Sequence, residues 1–190
     1  MSRRKALFLD RDGVINVEFG YVHSQAHFVF QDGIFDLCRA AQSLGYVLVV
    51  VTNQAGIARG YYTEEEFLAL TDWMNSRFAE QQVNITRVYY CPFHPVHGVG
   101  KYKFDSPDRK PRPGLLLRAR EDLDLDLESS VLIGDTVSDI KAGIDAGVGK
   151  VILLAAPPFQ TTTPQITCEV AHSLEEIRSK FFSANGSSGS

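Results

Sequence analysis

The chain lacks any apolar run near the ~20 residues needed to span a bilayer as a helix, so no membrane segment is expected. Its opening, Met1 to Lys5, is basic, but it runs into a short strand-like stretch ending in acid, without the apolar core or cleavage pattern of a secretory signal. Cysteine is scarce: Cys38, Cys91 and Cys168 are odd in number and far apart, which argues against a disulfide framework and for a reducing cytoplasm. Basic charge is also short, with 19 Lys and Arg against 23 Asp and Glu and a net charge of −4, leaving no general attraction for nucleic-acid backbones. No internal repeat is found, and no surplus amphipathic face demands a partner, so a monomer is expected.

What is present suits an ordinary folded domain. Hydrophobic residues at 44% and charged residues at 22% lie close to the averages for globular proteins, excluding disorder and fibrous architectures. A chain of 190 residues can bury about 70% of its unfolded surface around one core. Residues 1–183 are therefore read as one domain, and 184–190, ending Gly-Ser-Ser-Gly-Ser, as a flexible tail.

Apolar runs at Ala6 to Leu9, Val47 to Val51, Val88 to Tyr90, Val131 to Ile133 and Val151 to Leu154 read as buried strands. Helical spacing fills the gaps. Ile34, Leu37, Cys38, Ala41 and Leu44 form one stripe stopped by Gly45, Thr63 and Glu66 make a capping box for a helix running to about Gln81, and further helices are expected from Pro113 to Asp122 and from Val137 to Ala146. The alternation predicts an α/β fold, a three-layer doubly wound parallel sheet. The stretch 91–112 shows little periodicity and reads as a long loop, a length usually reserved for function.

In such a fold ligands sit beyond the carboxyl ends of the strands. Here those ends carry Asp10-Arg11-Asp12-Gly13-Val14, Thr52-Asn53-Gln54 and Gly134-Asp135-Thr136-Val137-Ser138-Asp139. Singly, each acid or hydroxyl could cap a helix or stabilise a turn. Together they crowd carboxylates at one crevice, which is costly unless a hard divalent cation neutralises them, and magnesium with its oxygen ligands is the simplest choice.

The set Asp10-Arg11-Asp12-Gly13-Val14, Thr52-Asn53, Lys110 and Gly134-Asp135 resembles the haloacid-dehalogenase (HAD) phosphatase superfamily, in order across nearly the whole domain. That resemblance implies a HAD-type Rossmannoid with Asp10 as nucleophile, Asp12 as acid and then base, and Thr52 and Lys110 holding the transferring phosphoryl group. It also implies a Mg²⁺ site built from Asp10, Asp12 and Asp135, with Asp139 as a water-mediated or outer ligand or else a helix-dipole acid.

A narrower resemblance rests on Gly20-Tyr21-Val22-His23, Thr52 to Gly60 and Arg109-Lys110-Pro111-Arg112-Pro113-Gly114, which are similar to the D-glycero-D-manno-heptose 1,7-bisphosphate 7-phosphatase family of bacterial ADP-heptose and lipopolysaccharide synthesis. It implies a small phosphorylated sugar as substrate, with the β-anomer as reference. It also implies the absence of a large cap domain, and contacts from Glu18, Phe19, Gly20, Tyr21, Thr52, Asn53, Gln54, Ala55, Arg109 and Lys110. Arg109 suits the non-reacting phosphate.

Many members of that family hold zinc in the long loop. This chain keeps Cys91 but has Phe93, Ser106 and Asp108 where other ligands would stand, so zinc is not expected and packing by Phe93, Tyr102 and Phe104 is expected to replace it. The competing readings are a histidinol-phosphate phosphatase with the same catalytic motifs, more distantly a polynucleotide 3′-phosphatase, which the acidic chain without a basic stripe disfavours, and an inactive phosphosugar-binding protein.

Overall fold

The sheet has six strands, all paired in parallel, in the order β3-β2-β1-β4-β5-β6. A computed structural model describes residues 3–155 and 168–183, so the expected tail at 184–190 lies outside the described residues. The strands are β1 Ala6–Leu9, β2 Val47–Asn53, β3 Ile85–Cys91, β4 Val131–Gly134, β5 Lys150–Leu154 and β6 Glu169–Ala171. The helices are α1 Ile34–Ser43, α2 Ala55–Ala58, α3 Glu64–Glu80, α4 Gly114–Leu123, α5 Val137–Ala146 and α6 Leu174–Phe181. No large cap stands over the sheet among the described residues.

Strand alternation builds two separate cores. Leu7, Leu9, Leu48, Val50, Ile133 and Ile152 face one layer, where they meet Ile34 and Leu37 of α1, Met74 and Phe78 of α3, and Ile177 of α6. Ala6, Phe8, Val49, Val51, Leu132 and Val151 face the other, against Leu115 and Ala119 of α4 and Ile140 of α5. Every β1 residue is fully buried, and burial of each large apolar side chain contributes about 1.5–3 kcal/mol, so the strand that delivers Asp10 is held rigidly.

Helix punctuation follows the sequence. Thr63 and Glu66 exchange both capping-box hydrogen bonds, and Gly45 and Gly147 adopt the left-handed conformation past α1 and α5. Differences also appear. β2 runs on through Thr52 and Asn53, because pairing with Tyr90 and Cys91 of β3 continues the ladder there, and β3 itself is longer than its apolar run. The short α2 and β6 carry too little periodicity to be legible beforehand, and α6 is not among the expected helices although Leu174, Ile177 and Phe181 stand in helical spacing behind a Ser173 cap.

Candidate active site

The strand order reverses about β1, whose neighbours are β2 and β4, and this switch point opens a crevice at the carboxyl ends. Asp10 leaves β1 there and Asp135 leaves β4 beside it. Lys110 arrives from the long loop, with its Nζ 3.0 Å from Asp10 Oδ1, 2.6 Å from Asp139 Oδ1 and 2.8 Å from the Val51 carbonyl oxygen. The Arg11 amide also donates to Asp10 Oδ1 at 2.7 Å, which leaves Oδ2 as the less encumbered oxygen. Asp139 is 1% exposed; its Oδ2 accepts from the Thr136 amide and hydroxyl at 3.0 and 2.6 Å, so it is both the cap of α5 and a counter-ion for Lys110. The sequence suggested a first-turn acid favoured by the helix dipole as an alternative, but neither the cap hydrogen bonds nor the ion pair.

Three carboxylates against one ammonium leave this pocket short of positive charge. Burial, then repulsion by Asp139, Asp135 and Asp12, pushes Asp10 up to about 8 despite Lys110. Burial and Asp139 push Asp135 up to about 7. Burial would lower the Lys110 ammonium, but Asp10 and Asp139 outweigh it and raise it. Asp10, Asp135 and Asp139 can bring one oxygen each within 4.8 Å of one another, and Asp135 Oδ1 is buried without a partner among the described residues. Gly13, at φ +86°, clears this space: a Cβ there would lie 1.9 Å from Asp135 Oδ2. A hard divalent cation fits this all-oxygen donor set.

A carboxyl whose folded pKa is raised makes the folded state bind more protons than the unfolded one between the two values, so stability falls as pH rises across that interval. With chelator present, the melting temperature should therefore carry a declining contribution from about pH 4 to about pH 8. Magnesium at ~100 times its Kd should restore roughly 5–10 °C near neutral pH, and less in acid, where protons compete for the same oxygens. Differential scanning fluorimetry with and without magnesium reads both effects, and a flat response would contradict the charge argument.

Asp12 is gripped by a network. The fully buried Arg11 reaches both its oxygens, with Nη2 at 2.9 Å and Nε at 3.2 Å, and Nη2 also donates to the Val22 carbonyl oxygen. Asn16 Nδ2 donates to Asp12 Oδ1 at 3.1 Å and Gln54 Nε2 to Oδ2 at 3.0 Å, while Tyr62 Oη donates to Gln54 Oε1 at 2.6 Å. Arg11, Asn16 and Tyr62 went unassigned in the sequence. The available signal was an arginine set between two acids in a buried motif, where a guanidinium fork is the natural carboxylate holder.

The remaining expected residues divide. Glu18, Gly20, Tyr21, Thr52, Asn53, Gln54 and Ala55 line, with the acids and Lys110, a cavity of 310 Å³. Thr52 is buried, with Oγ1 accepting from Gln54 Nε2 at 2.9 Å. Asn53 clamps the Lys110 backbone from both sides, its Nδ2 donating to the Lys110 carbonyl and its Oδ1 accepting from the Lys110 amide, each at 3.0 Å. This explains how a long loop places Lys110 so firmly. Phe19 is 65% exposed, and neither Phe19 nor Arg109 is part of the cavity wall.

In the loop, Phe93 packs against Tyr102 and Phe104 at 6.1 and 5.5 Å between centroids, as expected. Ser106 Oγ accepts from the Asp108 amide, Asp108 pairs with Arg118 at 2.8 Å, and Arg112 donates to the Ser106 carbonyl. Cys91 is buried, and burial raises its thiol. The His94 ring accepts from the Val96 and His97 amides.

Comparison with known proteins bears on this site directly. A HAD-hydrolase-like family model matches residues 108–156, the stretch that holds Lys110, Asp135 and Asp139. The chain is 57% identical over 152 residues to D-glycero-alpha-D-manno-heptose-1,7-bisphosphate 7-phosphatase of Burkholderia mallei, covering 80% of each chain. It is 45% identical over 175 residues to D-glycero-beta-D-manno-heptose-1,7-bisphosphate 7-phosphatase of Vibrio cholerae, covering 92% of this chain and 94% of that one. Among solved structures it is similar to the D,D-heptose 1,7-bisphosphate phosphatase of B. bronchiseptica complexed with magnesium and phosphate. That match has a TM-score of 0.78 at 25% identity and covers 92% of this chain and 96% of that one.

Proposed function

Since the chain belongs to the heptose-1,7-bisphosphate 7-phosphatase family of HAD-like hydrolases, we propose that its own site residues remove the 7-phosphate of D-glycero-D-manno-heptose 1,7-bisphosphate through a phosphoaspartate on Asp10. The enzyme is a magnesium-dependent phosphoric monoester hydrolase. The observation that carries the residue assignment is the meeting of Lys110 Nζ with Asp10 at 3.0 Å, beside Asp135 and Thr52 in one cavity.

Bound at Asp10, Asp135 and the Asp12 backbone, magnesium would neutralise the crowded carboxylates and the phosphoryl oxygens. In the first half-reaction an Asp10 oxygen forms a bond to phosphorus while the bond to the heptose C7 oxygen breaks, and Asp12 gives that oxygen a proton. In the second, Asp12 takes a proton from water, whose oxygen attacks phosphorus and returns the Asp10 carboxylate and inorganic phosphate. Thr52 Oγ1 and Lys110 Nζ hold the phosphoryl oxygens as charge develops on them. Arg11, Asn16 and Gln54 keep Asp12 oriented for both transfers. Asp139 keeps Lys110 charged and placed.

We assign the reaction to the cytoplasm, as a step of ADP-heptose supply for lipopolysaccharide, carried out by a monomeric domain spanning 1–183. No helix of the described residues is long and apolar enough to cross a membrane. The test is a parallel assay of both anomers of the heptose bisphosphate, histidinol phosphate and a 3′-phosphorylated oligonucleotide with magnesium. The β-bisphosphate should be hydrolysed with kcat/KM at least about tenfold above histidinol phosphate and the oligonucleotide. A preference for histidinol phosphate would reject the substrate, and no turnover of any ester would favour the inactive sugar-phosphate binder.

A further inference from the structure

Gln54 stands at a junction of the site. It is 1% exposed, and its Nε2 donates to Asp12 Oδ2 at 3.0 Å and to Thr52 Oγ1 at 2.9 Å. An amide nitrogen carries two hydrogens, so this pair of bonds leaves none for a substrate. Thr52 Oγ1 accepts here, and its own hydrogen finds no acceptor among the described residues. That hydrogen is left to turn toward a phosphoryl oxygen in the cavity that Thr52 lines.

Turned over, the same amide would aim its carbonyl oxygen at the Asp12 carboxylate, acceptor against acceptor. Tyr62 opposes that turn. Its Oη donates to Gln54 Oε1 at 2.6 Å, and burial raises its phenol, so it stays a donor. Three features seat the Tyr62 ring. A Cβ at Gly56 would fall 2.1 Å from Tyr62 Cε1, so a glycine on α2 makes the room. The His23 ring stacks on it at 5.2 Å, with Nδ1 donating to the Tyr21 carbonyl oxygen at 2.8 Å. Tyr62 also directly precedes the Thr63 cap and clusters with Phe67 of α3, the arrangement of a hydrophobic staple. The Arg11 guanidinium lies 5.6 Å from the Phe67 ring, so the arginine and glutamine arms on Asp12 are both braced by the start of α3.

We infer that Tyr62 is a positioning residue for phosphoryl transfer, holding the Gln54 amide in the orientation that donates to Asp12 and Thr52 together. Without the phenol hydroxyl, Gln54 Oε1 is left buried without its donor, a cost the amide relieves by rotating away from both partners. Asp12 then loses a donor on Oδ2, and the Thr52 hydroxyl loses the bond that sets its direction. Displacements of this kind act on the reacting geometry, not on substrate affinity. The inference rests on the roles proposed above for Asp12 and Thr52.

The test is a double-mutant cycle on kcat and KM for heptose 1,7-bisphosphate with magnesium, using wild type, Tyr62→Phe, Gln54→Met and the double variant, with melting temperatures alongside. Tyr62→Phe should lower kcat about tenfold or more and leave KM within about twofold. In the Gln54→Met background the same change should lower kcat by less than about twofold, because the hydroxyl then has no amide to hold. A folded Tyr62→Phe with wild-type kcat overturns the inference. So does a loss carried by KM, which would make Tyr62 a substrate contact, and so do losses that simply add across the cycle. Should Gln54→Met not fold, Gln54→Leu closes the cycle and is read the same way. Wild type without turnover removes the proposed roles of Asp12 and Thr52, and this inference with them.

Discussion

Asp10→Asn is expected to reduce kcat on the heptose bisphosphate by a factor on the order of 10⁴ to 10⁶, the scale of losing a covalent nucleophile. The fold should survive. Asp10 sits in a pocket where burial and three neighbouring acids already hold its carboxyl near 8, so the amide removes like-charge repulsion as well as the reacting oxygen. Without magnesium the variant should melt no lower than wild type, because Lys110 retains Asp139 at 2.6 Å. With magnesium it should gain less, having lost a ligand oxygen. Steady-state kinetics and melting curves on the same preparations check both halves, and substantial turnover by a well-folded variant would remove Asp10 from the chemistry.

Lys110→Met is expected to fail on both counts. The ammonium binds the transferring phosphoryl group, and loss of such a donor typically costs about 10²–10³ in kcat. It is also the counter-ion shared by two buried carboxylates, at 3.0 and 2.6 Å. Removing one member of a buried pair destabilises by roughly 3–5 kcal/mol, which for a chain of this size lowers the melting temperature by about 10 °C. The contrast matters more than either value. If the asparagine variant at Asp10 keeps its stability while the methionine variant at Lys110 loses it, the pocket is short of positive charge, as the geometry implies; equal stability losses would contradict that.

Much of this was legible in the sequence because the informative residues are punctuation. Asp10, Thr52 and Asp135 stand where β-branched or apolar runs stop, and a parallel sheet gathers such ends on one side. Thr63 and Glu66, three apart ahead of an apolar stripe, could be read as a helix start for the same local reason. Less could be read where structure depends on distant partners. Asn53 reads as a substrate contact, but it also clamps the Lys110 backbone across a separation of 57 residues, which no local pattern signals. Asp139 offered an outer-ligand or helix-dipole role from its place four residues after Asp135, yet its ion pair needs the 91–112 loop to fold back over β2. β6 is only three residues long and finds its place through β5, so its pairing rather than its composition defines it. Phe19 and Arg109, read as substrate contacts from their motifs, lie outside the wall of the cavity, so a contact from either depends on where the substrate extends.

The long loop illustrates one physical problem with two solutions. A lysine that must reach a buried acid from an irregular segment needs that segment fixed. Here Asn53, the Phe93–Tyr102–Phe104 cluster and the Asp108–Arg118 pair anchor it at separate points. These ties are distributed, whereas a metal clip concentrates the constraint at one centre.

The most direct test of the whole account is a rapid-quench experiment with excess enzyme, magnesium and heptose bisphosphate labelled in the 7-phosphate. Acid quenching during the first turnover should yield protein carrying one phosphoryl group, and peptide mapping should place it on Asp10. Label should appear and decay at rates that account for phosphate release. Unlabelled protein throughout that turnover, or label on another residue, would contradict the account.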